Sequence, residues 1–350
     1  MTRTVSALFI ALVAAIICSA VDPAEALLLR GGGNGAVAYS DLCSQTNVPC
    51  VYAWSVTHRL NSTNTDPFQL TRTSDSAVFE ASYTGSNFVV NVSAATTFCL
   101  ANGGTTTTTA TYTQYNDCTF TDLYDQKGTC NLLALETNKR PPFKTWLADG
   151  FPVIIQTTVS NGTVGATTGW LTGFGCSAVA GAAAKSLIFY TNSTYGSLCC
   201  GQFGFGENGS GSNPTRPIPI VSGSMLAQFW FTGSPVPAGS TNYNYDDEGG
   251  GGGGRTFVNS TPVSGVGVIT YSGGTNLIND WFNNIQGDTN FTPLQTINTQ
   301  SRVNLGCSGD LTSCGPYWFR DMAVTSNDVS AVGGLPTAIY TYLTNFYASI

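Results

Sequence analysis

Residues 266–271 read Val-Gly-Val-Ile-Thr-Tyr, a short run of β-branched and aromatic residues that favours a β-strand over a helix. Similar runs recur along the chain, separated by clusters of Gly, Asn, Ser and Pro. They occupy residues 88–92, 111–113, 153–155, 187–190, 225–231 and 317–324. Many short strands without intervening helical periods predict an all-β sandwich with few helices.

Three further segments carry a local prediction. Residues 275–285 and 336–347 space their apolar side chains as helices do, and the second segment has a proline in its first turn. We expect both to be helices that pack on the core. The threonine run 105–109 predicts a strand or the edge of a loop.

Composition narrows the class of ligand. The 350 residues are 42% hydrophobic, which is ample for a core, but only 9% are charged, and the net charge is −7. A nucleic-acid partner requires a basic face, which this balance argues against. A neutral or weakly charged ligand is expected instead.

The chain is expected to divide into three parts. Residues 1–26 combine Arg3, an apolar run and small residues, which is typical of a secretory signal peptide. The apolar run is shorter than the ~20 residues of a membrane span, so we expect secretion without a membrane anchor. Residues 27–40 form a Gly-rich leader, and residues 41–350 are predicted to be one monomeric domain. The six glycines at 249–254 are interpreted as part of a long loop within it.

Cysteine usage agrees with an oxidising compartment. Removal of Cys18 with the signal peptide leaves ten cysteines, which suggests five disulfides. They are Cys43, Cys50, Cys99, Cys118, Cys130, Cys176, Cys199, Cys200, Cys307 and Cys314. We predict Cys43–Cys50 and Cys307–Cys314 as local bridges, and loop length favours Cys99–Cys118 with Cys130–Cys176. From the dipeptide alone, Cys199 and Cys200 are as consistent with a bond to each other as with separate distant partners.

Seven Asn-x-Ser/Thr sequons agree with secretion, and each predicts a glycosylated surface position. They are at Asn61, Asn91, Asn161, Asn192, Asn208, Asn259 and Asn290.

The absence of several motifs narrows the chemistry. The only histidine, His58, is expected on the surface, and no serine elbow accompanies it. The cysteines lack metal-ligand spacing, and no phosphate-binding loop is present, so no cofactor is expected. Carboxylates remain as candidate catalysts. After the signal peptide only four glutamates are left, at 80, 136, 207 and 248.

Several motifs occur together in the order found in one known family. The chain resembles the catalytic domain of the fungal α-L-arabinofuranosidase B family, glycoside hydrolase family 54, from about residue 41 onward. The matching segments are residues 48–60, 68–75, 97–99, 123–132, 199–200, 304–310 and 317–319. The resemblance implies a concanavalin-like β-sandwich, or jelly roll, that removes terminal α-L-arabinofuranosyl residues with retention. The C-terminal carbohydrate-binding trefoil typical of the family is expected to be missing.

The resemblance also implies roles for particular residues. The family's nucleophile corresponds to Glu248, and its general acid/base to Asp310. Asp246 and Gly309 are then expected to contact the sugar. In the family the paired cysteines form a vicinal disulfide against the sugar, which favours a bond between Cys199 and Cys200. The expected partner is an arabinose-containing polysaccharide or oligosaccharide.

Departures from the family pattern leave alternatives open. Two asparagines follow the nucleophile in the family, whereas Gly249 and Gly250 follow Glu248 here, and Glu207 is the alternative nucleophile. The chain is therefore interpreted as an arabinofuranosidase, with two alternatives. One is a hydrolase of another furanoside, such as a galactofuranoside, and the other is an inactive carbohydrate-binding protein.

Overall fold

The computed structural model describes residues 42–44, 48–61, 63, 65–86, 88–134, 137–156, 169, 171–179, 181–192, 203–205, 241–245, 253–257, 264–275, 277–287, 302–306 and 317–350. For residues 203–205, 241–245 and 253–257 the description is of the backbone alone.

Within these residues the chain is built mainly of β-strands. In chain order the strands are β1 (Cys50–Ser55), β2 (Phe68–Arg72), β3 (Val78–Glu80), β4 (Tyr83–Thr84), β5 (Val89–Val90), β6 (Thr106–Thr108), β7 (Tyr112–Leu123), β8 (Leu132–Leu133), β9 (Pro142–Trp146), β10 (Pro152–Gln156), β11 (Leu171–Phe174), β12 (Lys185–Asn192), β13 (Phe203–Phe205), β14 (Thr241–Tyr245), β15 (Gly253–Phe257), β16 (Ser264–Tyr271), β17 (Ile278–Phe282), β18 (Ile285–Gln286), β19 (Arg302–Leu305), β20 (Tyr317–Phe319) and β21 (Asp321–Thr325). The α-helices are α1 (Val92–Leu100) and α2 (Leu335–Ser349). Short 3₁₀ turns occupy Leu42–Ser44, Ala101–Gly103, Thr137–Lys139, Ser177–Val179 and Val329–Ala331.

Two antiparallel sheets form the two layers of the predicted β-sandwich. The six-stranded sheet has the order β1-β21-β12-β16-β17-β18. The eleven-stranded sheet has the order β13-β19-β11-β8-β7-β9-β10-β20; in addition, β2 and β6 pair with β7, and β3 pairs with β2. The main hydrophobic core contains side chains of both sheets, including Trp54 and Phe189 of the first and Phe120 and Phe143 of the second. The all-β prediction is confirmed.

A second core lies on the other face of the six-stranded sheet. There Val266 and Val268 of β16 pack with Ile339 and Leu343 of α2. The predicted helix at 336–347 is confirmed by α2, which begins one residue earlier, at Leu335, and has proline in its first turn. No helix in the described ranges is long and apolar enough to cross a membrane.

The helix predicted at 275–285 is wrong. Residues 278–282 form β17, which pairs with β16 and turns into β18 through Asn283 and Asn284. Both asparagines have positive φ, 48° and 63°, as a two-residue hairpin turn of the I′ type requires. Apolar side chains at 277, 278, 281 and 282 fit a helix face, but they fit equally well a strand that is covered on both sides.

The segment at 88–92, predicted as a strand, is divided between a strand and a helix. Its residues 89–90 form β5, and α1 begins at Val92. Asn91 ends the strand because its side-chain oxygen accepts a hydrogen bond from the backbone N–H of Ala94, 3.1 Å away, and so caps the helix. The sequence did not predict helix α1, because its Val, Thr and Ser residues are weak helix formers. The strand expected within the run 105–109 is present as β6.

Three disulfides lie within the described residues. They are Cys43–Cys50, Cys99–Cys118 and Cys130–Cys176, as the sequence predicted. Cys199, Cys200, Cys307 and Cys314 lie outside the described residues.

Two sequon asparagines are buried, contrary to the expectation that every sequon is exposed. Asn61 is 5% exposed, and its Nδ2 donates to the backbone oxygen of Gln126 at 2.6 Å. Asn192 is 7% exposed, and its Nδ2 donates to Ser264 Oγ at 2.8 Å. Asn91 is half-buried, at the start of α1.

These contacts predict which described sequons accept a glycan. A glycan attaches to Nδ2 and needs open space beside it, which the buried side chains of Asn61 and Asn192 lack. At Asn61 both N–H groups of Nδ2 also donate, to Thr63 and Gln126, and attachment would remove one of these bonds. After expression through a secretory pathway, we expect Asn91 to be glycosylated and Asn61 and Asn192 to be unmodified. Mass spectrometry of peptides after enzymatic deglycosylation in heavy-oxygen water measures this directly. Modification of Asn61 in the folded protein would contradict the expectation.

His58 is also buried rather than exposed, and its side chain lies under α2. The imidazole stacks on Phe346 with ring centroids 3.8 Å apart, and Nδ1 lies 3.6 Å from Oδ1 of Asp321. The hydroxyl of Tyr347 donates to the other oxygen of Asp321. Desolvation lowers the pKa of His58 below its ordinary value of 6.5, against an opposing effect of Asp321 and with a smaller lowering effect of Arg320.

This lowered pKa predicts a loss of stability in acid. The unfolded chain takes up a proton at His58 more readily than the folded protein, so stability is complete above about pH 6.5 and falls as the pH drops below it. His58→Gln removes the titrating group. The fall in melting temperature between about pH 7.5 and 5.5 is therefore expected to be smaller in the variant than in the wild type. An equal fall in both proteins would show that burial of His58 does not govern acid sensitivity.

Candidate functional site

The residues with predicted catalytic or sugar-binding roles lie outside the described part of the chain. They are Cys199, Cys200, Asp246, Glu248, Gly309 and Asp310. The alternative nucleophile Glu207 lies outside it as well. Strands that are described flank each of them, and the pairing of these strands limits where each segment leaves the sheet.

Strands β13 and β19 connect to two of these segments at one end of the eleven-stranded sheet. The strands are antiparallel, with Phe203 opposite Leu305 and Phe205 opposite Val303. The chain before Phe203 and the chain after Leu305 therefore reach the same end of the sheet. Cys200 is three residues before Phe203, and Asp310 is five residues after Leu305, which tethers them within about 11 and 18 Å of that pair. The register thus permits the paired cysteines and Asp310 to meet.

Gly306 forms the exit from β19 toward Asp310. Its φ of 88° lies in the left-handed region, which L-residues with a Cβ rarely adopt. A Cβ at this position would also lie 2.4 Å from the ring of Tyr317. Tyr317 is held in place because its hydroxyl donates to the backbone oxygen of Gly169 at 3.1 Å. The direction in which the chain leaves β19 is therefore set by a glycine against a fixed aromatic ring.

A buried polar pair braces the same strand on the side opposite the core. Val303 and Leu305 of β19 belong to the main core, so Asn304 between them faces the other way. Thr172 of β11 donates its hydroxyl to Oδ1 of Asn304 at 2.6 Å, and both side chains are fully buried. Sequence reasoning treated Asn304 only as part of a matching motif. Nothing in the sequence pointed to Thr172 as its partner, because the two residues are 132 positions apart.

Asp246 and Glu248 lie in the connection of a β-hairpin. Tyr245 at the end of β14 is opposite Gly253 at the start of β15. Residues 246–252 therefore connect the two strands. The last two of the six glycines, 253 and 254, belong to β15, so the glycine run is not wholly a loop.

The motif at residues 123–132 has a structural role in the described chain. The carboxylate of Asp125 accepts hydrogen bonds from the backbone N–H groups of Ala53, Lys127 and Cys130, at 2.9 to 3.0 Å. Desolvation nevertheless raises the pKa of Asp125, and these hydrogen bonds oppose the rise. The next side chain, Gln126, accepts from the backbone N–H of Leu60 at 2.6 Å. The motif therefore joins this loop to β1 and to the chain that follows it.

Several other side chains in the described ranges have structural roles. The described ranges contain no group of three or more His, Cys, Asp or Glu side chains arranged to hold a metal ion. Arg320, 2% exposed, makes two hydrogen bonds to the carboxylate of Asp149, at 2.6 and 2.7 Å. Trp318 is 1% exposed and packs with Val153 and Ile155, so it is a core residue rather than a sugar platform.

Comparison with solved structures relates this fold to known proteins. An arabinofuranosidase complexed with arabinofuranosyl-α-1,2-xylobiose superposes on 87% of the chain with a TM-score of 0.55 and 16% sequence identity. The chain is similar in fold to arabinofuranosidases.

Two structures of glycoside hydrolase family 54 α-L-arabinofuranosidase give the same result. One is a glutamate-to-glutamine variant soaked with 4-nitrophenyl α-L-arabinofuranoside, with a TM-score of 0.54. The other was soaked with a cyclic sulfate inhibitor and has a TM-score of 0.53. Both are 16% identical to the chain, which spans 65% of the length of each. No protein-family model matches the sequence, and no curated protein matches it significantly.

The exit from β19 generates a stability prediction. Gly306→Ala combines a left-handed backbone, which costs about 1–2 kcal/mol for a residue with a Cβ, with overpacking against Tyr317, which typically costs about 1–3 kcal/mol more. Gly85→Ala is the matched control, because Gly85 has φ of 71° but no atom within 4 Å of a built Cβ. Denaturant unfolding is expected to show the larger loss for Gly306→Ala. Equal losses would exclude the contact with Tyr317 as a constraint.

Proposed function

We propose that the chain is a secreted, retaining glycoside hydrolase that removes terminal α-L-arabinofuranosyl residues from arabinose-containing polysaccharides. The observation that supports the proposal is the register of β13 and β19, in which Phe203, three residues after Cys200, lies opposite Leu305, five residues before Asp310. The fold is similar to that of enzymes crystallised with arabinofuranosyl ligands, which supports the same conclusion.

The proposed mechanism uses two carboxyl groups. In a retaining glycosidase these groups lie about 5–5.5 Å apart, on either side of the scissile bond. The ionised carboxylate of Glu248 attacks the anomeric carbon, and the bond from that carbon to the leaving oxygen breaks. Asp310 donates its proton to the leaving oxygen. The Asp310 carboxylate then takes a proton from water, and this water attacks the anomeric carbon and releases Glu248.

The other residues orient the sugar in this proposal. Asp246 accepts hydrogen bonds from sugar hydroxyls, and a vicinal disulfide of Cys199 and Cys200 offers an apolar platform beneath the ring. Gly309 permits the sugar to approach the backbone next to Asp310. Gly249 and Gly250 contribute no side chains to the substrate, so substrate contacts on the nucleophile side are expected to be few.

Substitution of the two carboxylates tests the proposal. Glu248→Gln is expected to abolish hydrolysis of every substrate, because no glycosyl-enzyme can form without the carboxylate. Asp310→Asn is expected to lower cleavage of polysaccharide by about 10²–10⁴-fold. A dinitrophenyl arabinofuranoside needs no proton on its leaving group and should still be attacked, and azide should then restore turnover and yield a glycosyl azide.

Two further glutamate variants complete the design. Glu80→Gln is the matched control, because Glu80 is exposed on β3 and bonds to Gln69 and Tyr124 at the protein surface. It should keep full activity. If Glu207→Gln is inactive and Glu248→Gln is active, the nucleophile is Glu207.

Turnover of an aryl galactofuranoside but not of the arabinofuranoside would identify a different furanosidase, and sugar binding without turnover would identify a binding protein.

A further inference from the structure

The ribbon formed by β6 and the first half of β7 carries a polar surface on one face. Gln114 and Asn116 are two residues apart on β7, and Thr107 of β6 lies opposite Gln114. The Nδ2 atom of Asn116 donates to the hydroxyls of Thr105 and Thr107, each at 3.1 Å. We call Thr105, Thr107, Gln114 and Asn116 the amide ladder. The Oδ1 atom of Asn116 accepts from the hydroxyl of Thr107 at 3.2 Å and from Nε2 of Gln114 at 3.3 Å, so Asn116 holds the other members of the ladder in place. All members are exposed except Gln114, which is half-buried, so the polar groups that Asn116 positions lie at the surface.

A cleft of about 280 Å³ opens at one end of the amide ladder. It is lined by residues 102–105, Ser74, Asn116 and Asp117, whose side-chain functional groups are hydroxyls, amides and a carboxylate, beside the backbone of two glycines. The carboxylate of Asp117 accepts from the hydroxyl of Thr73 at 2.6 Å and from the backbone N–H of Ser74 at 2.8 Å. Desolvation acts to raise the pKa of Asp117, but a hydrogen bond from the Ser74 hydroxyl, together with the two bonds above and the charge of Arg72, lowers it overall, so the group is an ionised acceptor held in place.

Aromatic rings stand at the other end of the amide ladder. Tyr112 is on the same face of β7 as Gln114, and Trp146 of β9 lies opposite Tyr112. Both rings are partly exposed. Lys144 is the one cation among residues 105–117 and 142–146. It is 3% exposed, with Nζ donating to the backbone oxygen of Ile155 at 2.9 Å, so it presents no charge to a ligand.

We propose that the cleft, the amide ladder and the Tyr112–Trp146 pair form a binding surface for a neutral polysaccharide chain. Amides, hydroxyls and a fixed carboxylate match the donors and acceptors of sugar hydroxyls, while aromatic rings cover the apolar faces of sugar rings. The absence of an exposed cation among residues 105–117 and 142–146 disfavours phosphorylated or sulfated ligands. From Asp117 to Tyr112 the surface runs for five strand residues, or about 17 Å, which suits a chain better than a single sugar.

This surface is separate from the proposed active site. In the eleven-stranded sheet, β11 and β8 stand between β19 and β7, and β6 and β9 pair with the half of β7 that begins at Tyr112. A polysaccharide held here would raise the local concentration of cleavable side groups near the enzyme. Binding at this surface does not depend on hydrolysis.

Affinity electrophoresis of the full-length protein tests the surface. Gels contain soluble arabinoxylan or linear arabinan, and hydrolysis of 4-nitrophenyl α-L-arabinofuranoside is measured in parallel. Asn116→Ala is expected to weaken retardation at least tenfold, with unchanged melting temperature and unchanged activity on the small substrate. Gln114→Ala, within the same face, should weaken it in the same direction.

Asn138→Ala is the matched control, since Asn138 is an exposed asparagine in the turn Thr137–Lys139 and is not part of the amide ladder or the cleft lining. It should bind like the wild type. Wild-type protein that is not retarded by either polysaccharide would overturn the proposal, as would equal retardation of the wild type and Asn116→Ala. If the small substrate is not hydrolysed but retardation persists and depends on Asn116, the proposed function fails and the binding surface stands.

Discussion

The fold depends on burying the six-stranded sheet on both of its faces. Along β16, Val266 and Val268 pack against α2, whereas Ile269 and Tyr271 point into the core between the sheets. Burial of such side chains is worth about 1.5–3 kcal/mol each relative to exposure, so an uncovered face would leave the sheet with a large apolar surface in water. Helix α2 is therefore an essential part of the sandwich, because it covers the outer face of the six-stranded sheet. Gly267 completes the fit, because a Cβ there would lie 1.9 Å from the ring of Phe189.

Three polar side chains, His58, Asp321 and Tyr347, lie in the otherwise apolar interface beneath α2. The hydroxyl of Tyr347 donates to Asp321, and burial raises the pKa of Tyr347, so the phenol keeps the proton that it donates. His58 lies beside the same carboxylate but at 3.6 Å, beyond hydrogen-bond distance. Buried charges add little net stability, but removing one partner leaves the other uncompensated. The hydrogen bond from Tyr347 to Asp321 and the stacking of His58 on Phe346 orient the C-terminal helix in addition to apolar packing.

The candidate site differs from the core in the part of the chain that supplies its residues. Its predicted catalytic residues fall in the segments between described strands, where binding and catalytic residues are commonly found. Thr172 and Asn304 bond β11 to β19, and Gly306 against Tyr317 sets the exit from β19. The proposed binding surface lies instead on the paired strands β6 and β7, where hydrogen bonds between its own side chains hold the amide ladder in place.

The sequence by itself determined the all-β class, the C-terminal helix and three disulfide pairings, because strand-forming runs, helical spacing and short loops are local signals. Only the tertiary structure decided that residues 278–282 form a strand, since an apolar pattern covered on both sides has no single period. It also placed His58, Asn61 and Asn192 in the interior. Burial of a polar side chain depends on a distant partner, such as Asp321 for His58 and Gln126 for Asn61. Local residue patterns do not encode such pairings.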